Sequence, residues 1–144
     1  MFIDYGSGKG RALLHASSWP FKEVIGVEIS ESLHKIACKN IGIYSNPEQA
    51  CEKISSHCAD VTEFEPPLLP LVCYFYNPFG AEIMQKVIQR LENSYNLKKR
   101  PIWVIYISPV HKNHILERPH WYMVNEGENY CIFMLKPEVF DAET

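Results

Sequence analysis

The sequence lacks several patterns that would each have placed it in a different class of protein. Its five cysteines form no C-x-x-C pair and are odd in number, which argues against a zinc ribbon and against a secreted disulfide framework. It has no run of the ~18 apolar residues that a membrane helix needs, and its start lacks the basic and apolar regions of a signal peptide. We therefore predict a cytoplasmic protein with reduced thiols and no membrane partner.

Positive charge is not in excess either. The net charge is -3 at pH 7, and the short basic run at 98–100 is interpreted as a solvated loop. Nucleic acid is therefore not the expected partner, because its backbone is held mainly by basic residues. With 144 residues, of which 47% are hydrophobic and 22% charged, the chain is predicted to form a single domain over 1–144.

Glycine is sparse, but its distribution is informative. Three of the seven glycines fall at alternate positions near the start: Gly6, Gly8 and Gly10. They follow an apolar run that begins at Phe2 and ends at Asp4, and a segment of good helix formers begins at Arg11. This order predicts a buried strand, a tight turn where the backbone can approach a ligand, and a helix. Because the chain starts on this strand, we expect that a further segment precedes it.

Apolar runs and helical spacing predict alternating strands and helices along the rest of the chain. Further strands are predicted over 23–29, 54–58, 71–76 and 102–107. Helices are predicted after Ser30 as N-cap, over 83–91 with an irregular segment from 93 to 100, and over 114–117. The segments 121–124 and 130–135 are predicted to form a closing hairpin around Gly127. The alternation predicts an α/β fold with a mostly parallel sheet and an antiparallel C-terminal edge.

Polar side chains follow four of these strands. Asp4 ends the first strand, and Glu28 lies near the end of the second, twenty residues after Gly8. Asp60 and Asn77 follow the third and fourth strands. Open α/β sheets bind ligands at the carboxyl ends of their strands, and an acidic residue at the separation of Glu28 suits ribose hydroxyls. The pattern therefore predicts a nucleotide-like ligand.

Two other ligand classes fit the sequence less well. A nicotinamide or flavin cofactor would require the third glycine of G-x-G-x-x-G at position 11, where Arg11 stands, so that hypothesis is weaker. A metal ion would require a third ligand beside His111 and His114, and none follows nearby. We therefore predict that the two histidines are a solvated or packing pair and that no metal is bound.

Apolar and aromatic residues of the central strands are assigned mainly to the core. Cys73 is interpreted as a small hydrophobe and not as a nucleophile. Tyr74, Tyr76 and Trp103 are assigned to the core of the sheet. Tyr5 and Tyr76 also lie near strand ends, where they could line a ligand pocket.

The strand-end residues together resemble a class I S-adenosylmethionine (SAM)-dependent methyltransferase. The closing hairpin resembles the reversed seventh strand of that family, and the order of elements matches over essentially the whole chain. The segment from Asp4 to Arg11, D-Y-G-S-G-K-G-R, is similar to the subgroup of Dot1-type lysine methyltransferases. Pro78 stands where that subgroup has a second asparagine, and Phe79 stands where amino-methylating enzymes with Asn-Pro-Pro-aromatic have a second proline.

The resemblance implies a three-layer Rossmann-like fold, with SAM as cofactor and S-adenosylhomocysteine (SAH) as product. The cofactor-binding residues it implies are Asp4, Tyr5, Gly6, Ser7, Gly8, Gly10, Glu28, Ile29, Asp60, Val61 and Asn77. Asp4 with the glycines would hold the methionine end, and Glu28 would accept hydrogen bonds from the ribose. Asp60 and the Val61 backbone would contact the adenine.

Catalysis is assigned through the same resemblance to Asn77, Pro78 and Phe79. Carbonyl oxygens of Asn77 and Pro78 would accept hydrogen bonds from an acceptor amine, and Phe79 would pack on it. The expected activity is methyl transfer to a nitrogen, on a protein or a small molecule. The alternative hypothesis is a non-catalytic or truncated methyltransferase-like binding module.

Overall fold

The structure, a computed structural model, describes residues 1–136 as one seven-stranded sheet flanked by helices. The strands are β1 Phe2–Tyr5, β2 Val24–Glu28, β3 Ile54–Cys58, β4 Leu71–Tyr76, β5 Ile102–Ile107, β6 Trp121–Glu126 and β7 Tyr130–Leu135. The helices are α1 Arg11–Ala16, α2 Glu31–Ile43, α3 Ala81–Leu97 and α4 Asn113–Leu116. None of these helices is long and apolar enough to cross a membrane.

The strand order across the sheet is β3-β2-β1-β4-β5-β7-β6. Strands β1 to β5 are parallel, and β7 pairs antiparallel with both β5 and β6. The chain runs outward from β1 to β3 and then returns to place β4 on the other side of β1. Such a reversal opens a crevice at the carboxyl ends of the central strands, where α/β sheets bind ligands.

Helices cover both faces of the sheet, which gives the predicted three layers. Helix α3 buries Met84, Val87 and Ile88 against one face, together with Ile115 of α4. Helix α1 covers β1 and β2 on the other face through Leu13. On the same face but farther along the sheet, three side chains stay partly exposed: Trp103, Ile105 and Ile132.

The predicted strands are confirmed at 54–58, 71–76 and 102–107. The predicted cap is also confirmed, because the Leu33 N–H donates to Ser30 Oγ at 3.4 Å. The prediction was wrong at the end of α3, which continues to Leu97 instead of ending in an irregular segment at 93. Ser94 and Tyr95 are buried on the core face of its last turn, so packing extends the helix beyond its most apolar residues.

The interpretation of 98–100 as a solvated loop was wrong for Arg100, which is buried. Its guanidinium donates to the backbone carbonyls of Pro67, Leu69, Ser94 and Lys98 at 2.8–2.9 Å. Two of these carbonyls belong to the proline-rich segment before β4, which forms no regular structure that would pair them. Arg100 therefore anchors that segment to the end of α3.

The assignment of Tyr76 to the sheet core was also wrong. Tyr76 is the last residue of β4 and is 63% exposed, because its side chain projects past the end of the sheet. Tyr74 and Trp103, which belong to the interior of β4 and β5, are half-buried. Cys73 is fully buried, and burial raises the pKa of its thiol to about 12, so it is a hydrophobe as predicted and not a nucleophile.

Candidate functional site

The glycine turn after β1 is anchored to the neighbouring strand. The backbone N–H groups of Gly6 and Ser7 both donate to the carbonyl of Val27 in β2, at 2.8 and 3.1 Å. Gly6 has φ 84, in the left-handed region that L-residues disfavour. A Cβ at Gly6 would lie 2.8 Å from Cβ of Pro78, closer than carbon atoms can pack. This position therefore requires glycine both for its backbone angle and for its contact with the chain after β4.

Glu28 connects the glycine turn to the start of α2. Its Oε2 accepts the Gly8 N–H at 2.8 Å, and its Oε1 accepts the Ser30 N–H at 3.0 Å. The side chain is only 8% exposed, so both bonds form where water competes little. Hydrogen bonds to an ionised acceptor are stronger than neutral ones. Glu28 thus helps to hold the turn in place, a role that the sequence pattern did not indicate.

Asp4 is a buried carboxylate at the end of β1. It is 4% exposed, and burial, followed by the negative charge of Glu28, raises the pKa of Asp4 to about 7. No hydrogen bond to the Asp4 side chain is found among residues 1–136. A buried carboxyl group without a hydrogen-bond partner is suited to bind a cationic group of a ligand. A cation beside it would lower its pKa and stabilise its ionised form.

Asp4 lines a cavity of about 480 Å³, here called the loop cavity. It is lined by Asp4, Gly6, Ser7, Lys9, Arg11, Ala12, His15, Tyr74 and Tyr76. The walls are therefore the glycine turn, helix α1 and the end of β4. Three basic side chains contribute to it, and none of them was predicted to belong to the site.

A second cavity of about 240 Å³, here called the strand-end cavity, lies on the other side of Gly6. It is lined by Gly6, Val27, Glu28, Ile29, Asp60, Val61, Pro78, Phe79 and Ile83. Asp60 is held in a tight turn, because its Oδ1 accepts the Thr62 N–H at 2.8 Å and the Thr62 hydroxyl at 2.7 Å. Those two hydrogen bonds lower the pKa of Asp60 and keep its carboxylate charged.

The segment Asn77-Pro78-Phe79 runs between the two cavities. Asn77 has φ 38, a left-handed conformation that asparagine tolerates better than most residues, and its N–H donates to the Ile107 carbonyl at 3.1 Å. Tyr76 before it lines the loop cavity, whereas Pro78 and Phe79 after it line the strand-end cavity. Asn77 itself is exposed and is not among the lining residues of either.

Two predicted site residues have side chains directed away from the crevice. The Tyr5 ring is buried in the core, edge-on to Phe75 at 5.2 Å between centroids, so only its backbone borders the turn. The Ser7 hydroxyl is buried below the turn, since it would meet a Cβ built at Gly26 in β2. Among residues 1–136, the Tyr5 and Ser7 hydroxyls are the buried side-chain oxygens that lack a hydrogen-bond partner.

The predicted site residues thus fall into two neighbouring groups that share Gly6. Asp4 and Ser7 border the loop cavity, while Glu28, Ile29, Asp60 and Val61 border the strand-end cavity. Gly8 and Gly10 shape the turn without lining either cavity. Arg11 was predicted to begin a helix and was not predicted to belong to the site, yet it lines the loop cavity.

Similarity to known proteins is found by structure and not by sequence. No family model and no curated protein matches the chain. A magnesium protoporphyrin IX methyltransferase from Synechocystis PCC 6803 with bound SAM is 12% identical, with a TM-score of 0.63 over 93% of this chain and 68% of that one. A Haemophilus influenzae protein provisionally assigned as a methylase is 18% identical, with a TM-score of 0.69 over 93% of this chain and 85% of that one.

The 23S rRNA methyltransferase ErmE is likewise similar, at 13% identity and a TM-score of 0.63 over 96% of this chain and 61% of that one. These similarities establish the fold. The molecule is a Rossmann-like α/β protein with its crevice at the carboxyl ends of the central strands. More specifically, it has the fold of the class I SAM-dependent methyltransferases, and the predicted fold class is confirmed.

Proposed function

We propose that this chain is a SAM-dependent methyltransferase that transfers the methyl group to a nitrogen, on a protein side chain. The observation that carries the proposal is the meeting of two cavities at Gly6, with Asp4, Glu28 and Asp60 at or just beyond the carboxyl ends of three adjacent strands. The bound SAM in one structure of the same fold supports the choice of cofactor.

The residues present suit the chemical groups of SAM. The buried Asp4 carboxylate would bind the ammonium of the methionine end, close to Gly6, which borders both cavities. Glu28 would accept hydrogen bonds from the ribose, since each carboxylate oxygen has two lone pairs and uses one of them for a backbone N–H. Asp60 and Val61 would contact the adenine in the strand-end cavity.

The segment after β4 is proposed to bind the methyl acceptor. When bound, SAM would supply a methyl group carried on a sulfonium. The acceptor nitrogen would form an N–C bond as the S–C bond breaks, the sulfur would become the neutral thioether of SAH, and the methylated nitrogen would release a proton to solvent. The Asn77 side-chain carbonyl and the Pro78 backbone carbonyl would accept the N–H bonds of the amine and aim its lone pair. Phe79, which packs edge-on against Phe75, would form an apolar wall.

Calorimetric titration with SAH tests the cofactor. We expect saturable binding by the wild-type chain and a loss of at least tenfold in affinity for Asp4→Asn, because a charge-assisted hydrogen bond is removed. Glu31→Gln, on the exposed first turn of α2, is the matched control and should bind as the wild type does. Absence of SAH binding by the wild type would exclude the proposed cofactor.

Transfer of a radiolabelled methyl group tests the acceptor. Total protein and total RNA are offered separately with labelled SAM, and the products are treated with protease, nuclease and mild base. Label that follows protein and survives base excludes a carboxyl methyl ester, and its recovery as N-methylated amino acids after acid hydrolysis supports the proposal. Label that follows RNA would contradict the protein acceptor and identify RNA as the acceptor. RNA is included in the test because ErmE, which has the same fold, is an rRNA methyltransferase.

A further inference from the structure

The loop cavity contains charges that the roles proposed above do not use. Asp4 lies at its floor and is buried, whereas Lys9, Arg11 and His15 stand at its rim and are exposed. A negative and a positive group thus border one cavity at different depths. Such a pair suits a ligand that carries both charges close together.

Arg11 differs from the other arginines of the chain. The guanidinium groups of Arg90, Arg100 and Arg118 each bond to carboxylates or backbone carbonyls. Among residues 1–136, neither Arg11 nor Lys9 forms a salt bridge, and the Arg11 guanidinium has no hydrogen bond. Arg11 therefore offers a free cation at the cavity rim.

The backbone that carries Arg11 is held in place on both sides. The Gly10 N–H donates to the Ser7 carbonyl at 2.9 Å, and the Asn40 side-chain amide donates to the Lys9 carbonyl at 2.9 Å. The Leu14 N–H donates to the Gly10 carbonyl at 3.2 Å as α1 begins. Because the chain is fixed at this point, only side-chain freedom is lost when the guanidinium binds a ligand.

We propose that Arg11 binds the carboxylate of the amino-acid end of the cofactor, while Asp4 binds its ammonium. This inference rests on the proposed function and names a specificity residue for it. Arg11 suits the role better than Lys9, since a planar guanidinium can bind both oxygens of a carboxylate at once. His15 lies one helical turn farther on, where the loop cavity meets an apolar groove that contains Trp19.

The consequence is selection for a zwitterionic ligand. SAM and SAH carry both charges, decarboxylated SAH lacks the negative one, and 5′-methylthioadenosine lacks both. The wild-type chain should therefore bind SAH about 10- to 100-fold more tightly than decarboxylated SAH, which is the usual effect of one charge-assisted hydrogen-bond pair.

Calorimetric titration of wild type and Arg11→Gln with these three probes tests the inference. Arg11→Gln should weaken SAH binding to the level of decarboxylated SAH and leave the other two affinities unchanged. Arg11→Lys should recover part of the lost affinity. His15→Gln, which lines the same cavity, should retain the wild-type preference; circular dichroism of each variant checks that it is folded.

Two results would overturn the inference. Equal effects of Arg11→Gln on all three probes, or no effect on any, would show that Arg11 does not contact the carboxylate. The same pattern of losses in Lys9→Gln in place of Arg11→Gln would assign the carboxylate to Lys9. Failure of the proposed function gives a different result, because none of the three probes would then bind to the wild-type chain.

Discussion

Gly6 in the turn after β1 and Pro78 in the segment after β4 are in direct contact: a Cβ added to Gly6 would lie 2.8 Å from Cβ of Pro78. The two residues border the same strand-end cavity, and Gly6 also borders the loop cavity. The contact therefore joins the turn that would hold the cofactor to the segment assigned to the acceptor.

The first prediction concerns this contact. Gly6→Ala should destabilise the fold by more than the ~1–2 kcal/mol that a left-handed backbone costs an L-residue, because Pro78 must also be displaced. Gly8→Ala is the matched control, since Gly8 has φ 53 but no atom within 4 Å of an added Cβ. Urea denaturation compares the two, and an equal loss of stability would contradict the prediction.

Glu28→Gln should lower the free energy of unfolding by about 1–3 kcal/mol. The amide retains only one oxygen, so the N–H of Gly8 or of Ser30 loses its acceptor inside the protein. Glu31→Gln on the exposed start of α2 should change stability by less than about 0.5 kcal/mol. Thermal unfolding of both variants measures the difference, which would vanish if Glu28 did not support the turn.

Because Asp4 is buried, the free energy of unfolding should decrease as the pH rises from about 4 to about 7. Its pKa is about 7 in the folded chain against 3.8 in the unfolded one, so the folded state binds more protons between these values. Asp4→Asn should remove this loss. Its advantage over the wild type in free energy of unfolding should be absent near pH 3, grow as the pH rises through about 7 and level off about one pH unit above that, at up to about 4 kcal/mol. Denaturation at several pH values measures it, and a pH-independent difference would contradict the assignment.

Arg100→Lys should destabilise the protein by at least about 2 kcal/mol, because an ammonium cannot satisfy the several carbonyls that the guanidinium binds. Lys98→Gln, at the exposed neighbouring position, is the control and should fall within about 0.5 kcal/mol of wild type. Chemical denaturation distinguishes them. Equal stability of the two variants would show that the hydrogen bonds of Arg100 do not stabilise the fold.

Asn77→Gly should separate binding from transfer. Glycine keeps the left-handed backbone at φ 38 but removes the side-chain carbonyl proposed to orient the acceptor. We expect the affinity for SAH to stay within about twofold of wild type, while kcat for the acceptor found in the transfer assay falls by about 100-fold. An unchanged kcat would exclude Asn77 from catalysis.

Much of the fold could be predicted from local patterns. The strands over 71–76 and 102–107 are apolar runs between prolines, and the strand over 54–58 is followed by Asp60; all three are confirmed. The alternation of strands with helices leads to a parallel sheet. The end of α3 was missed because Ser94 and Tyr95 are not strongly apolar in sequence and are buried only by tertiary packing.

The candidate site, like the fold, has some features that the sequence predicts and others that only the tertiary structure shows. That Asp4, Glu28, Asp60 and Asn77 meet at one edge follows from their positions after parallel strands, which the sequence alone determines through hydrophobic pattern and turn chemistry. The pairing of Glu28 with the Gly8 N–H, the contact of Gly6 with Pro78 and the place of Arg11 at the cavity rim were decided only by the tertiary structure. They depend on distances between segments far apart in the chain, and local propensity carries no information about those distances.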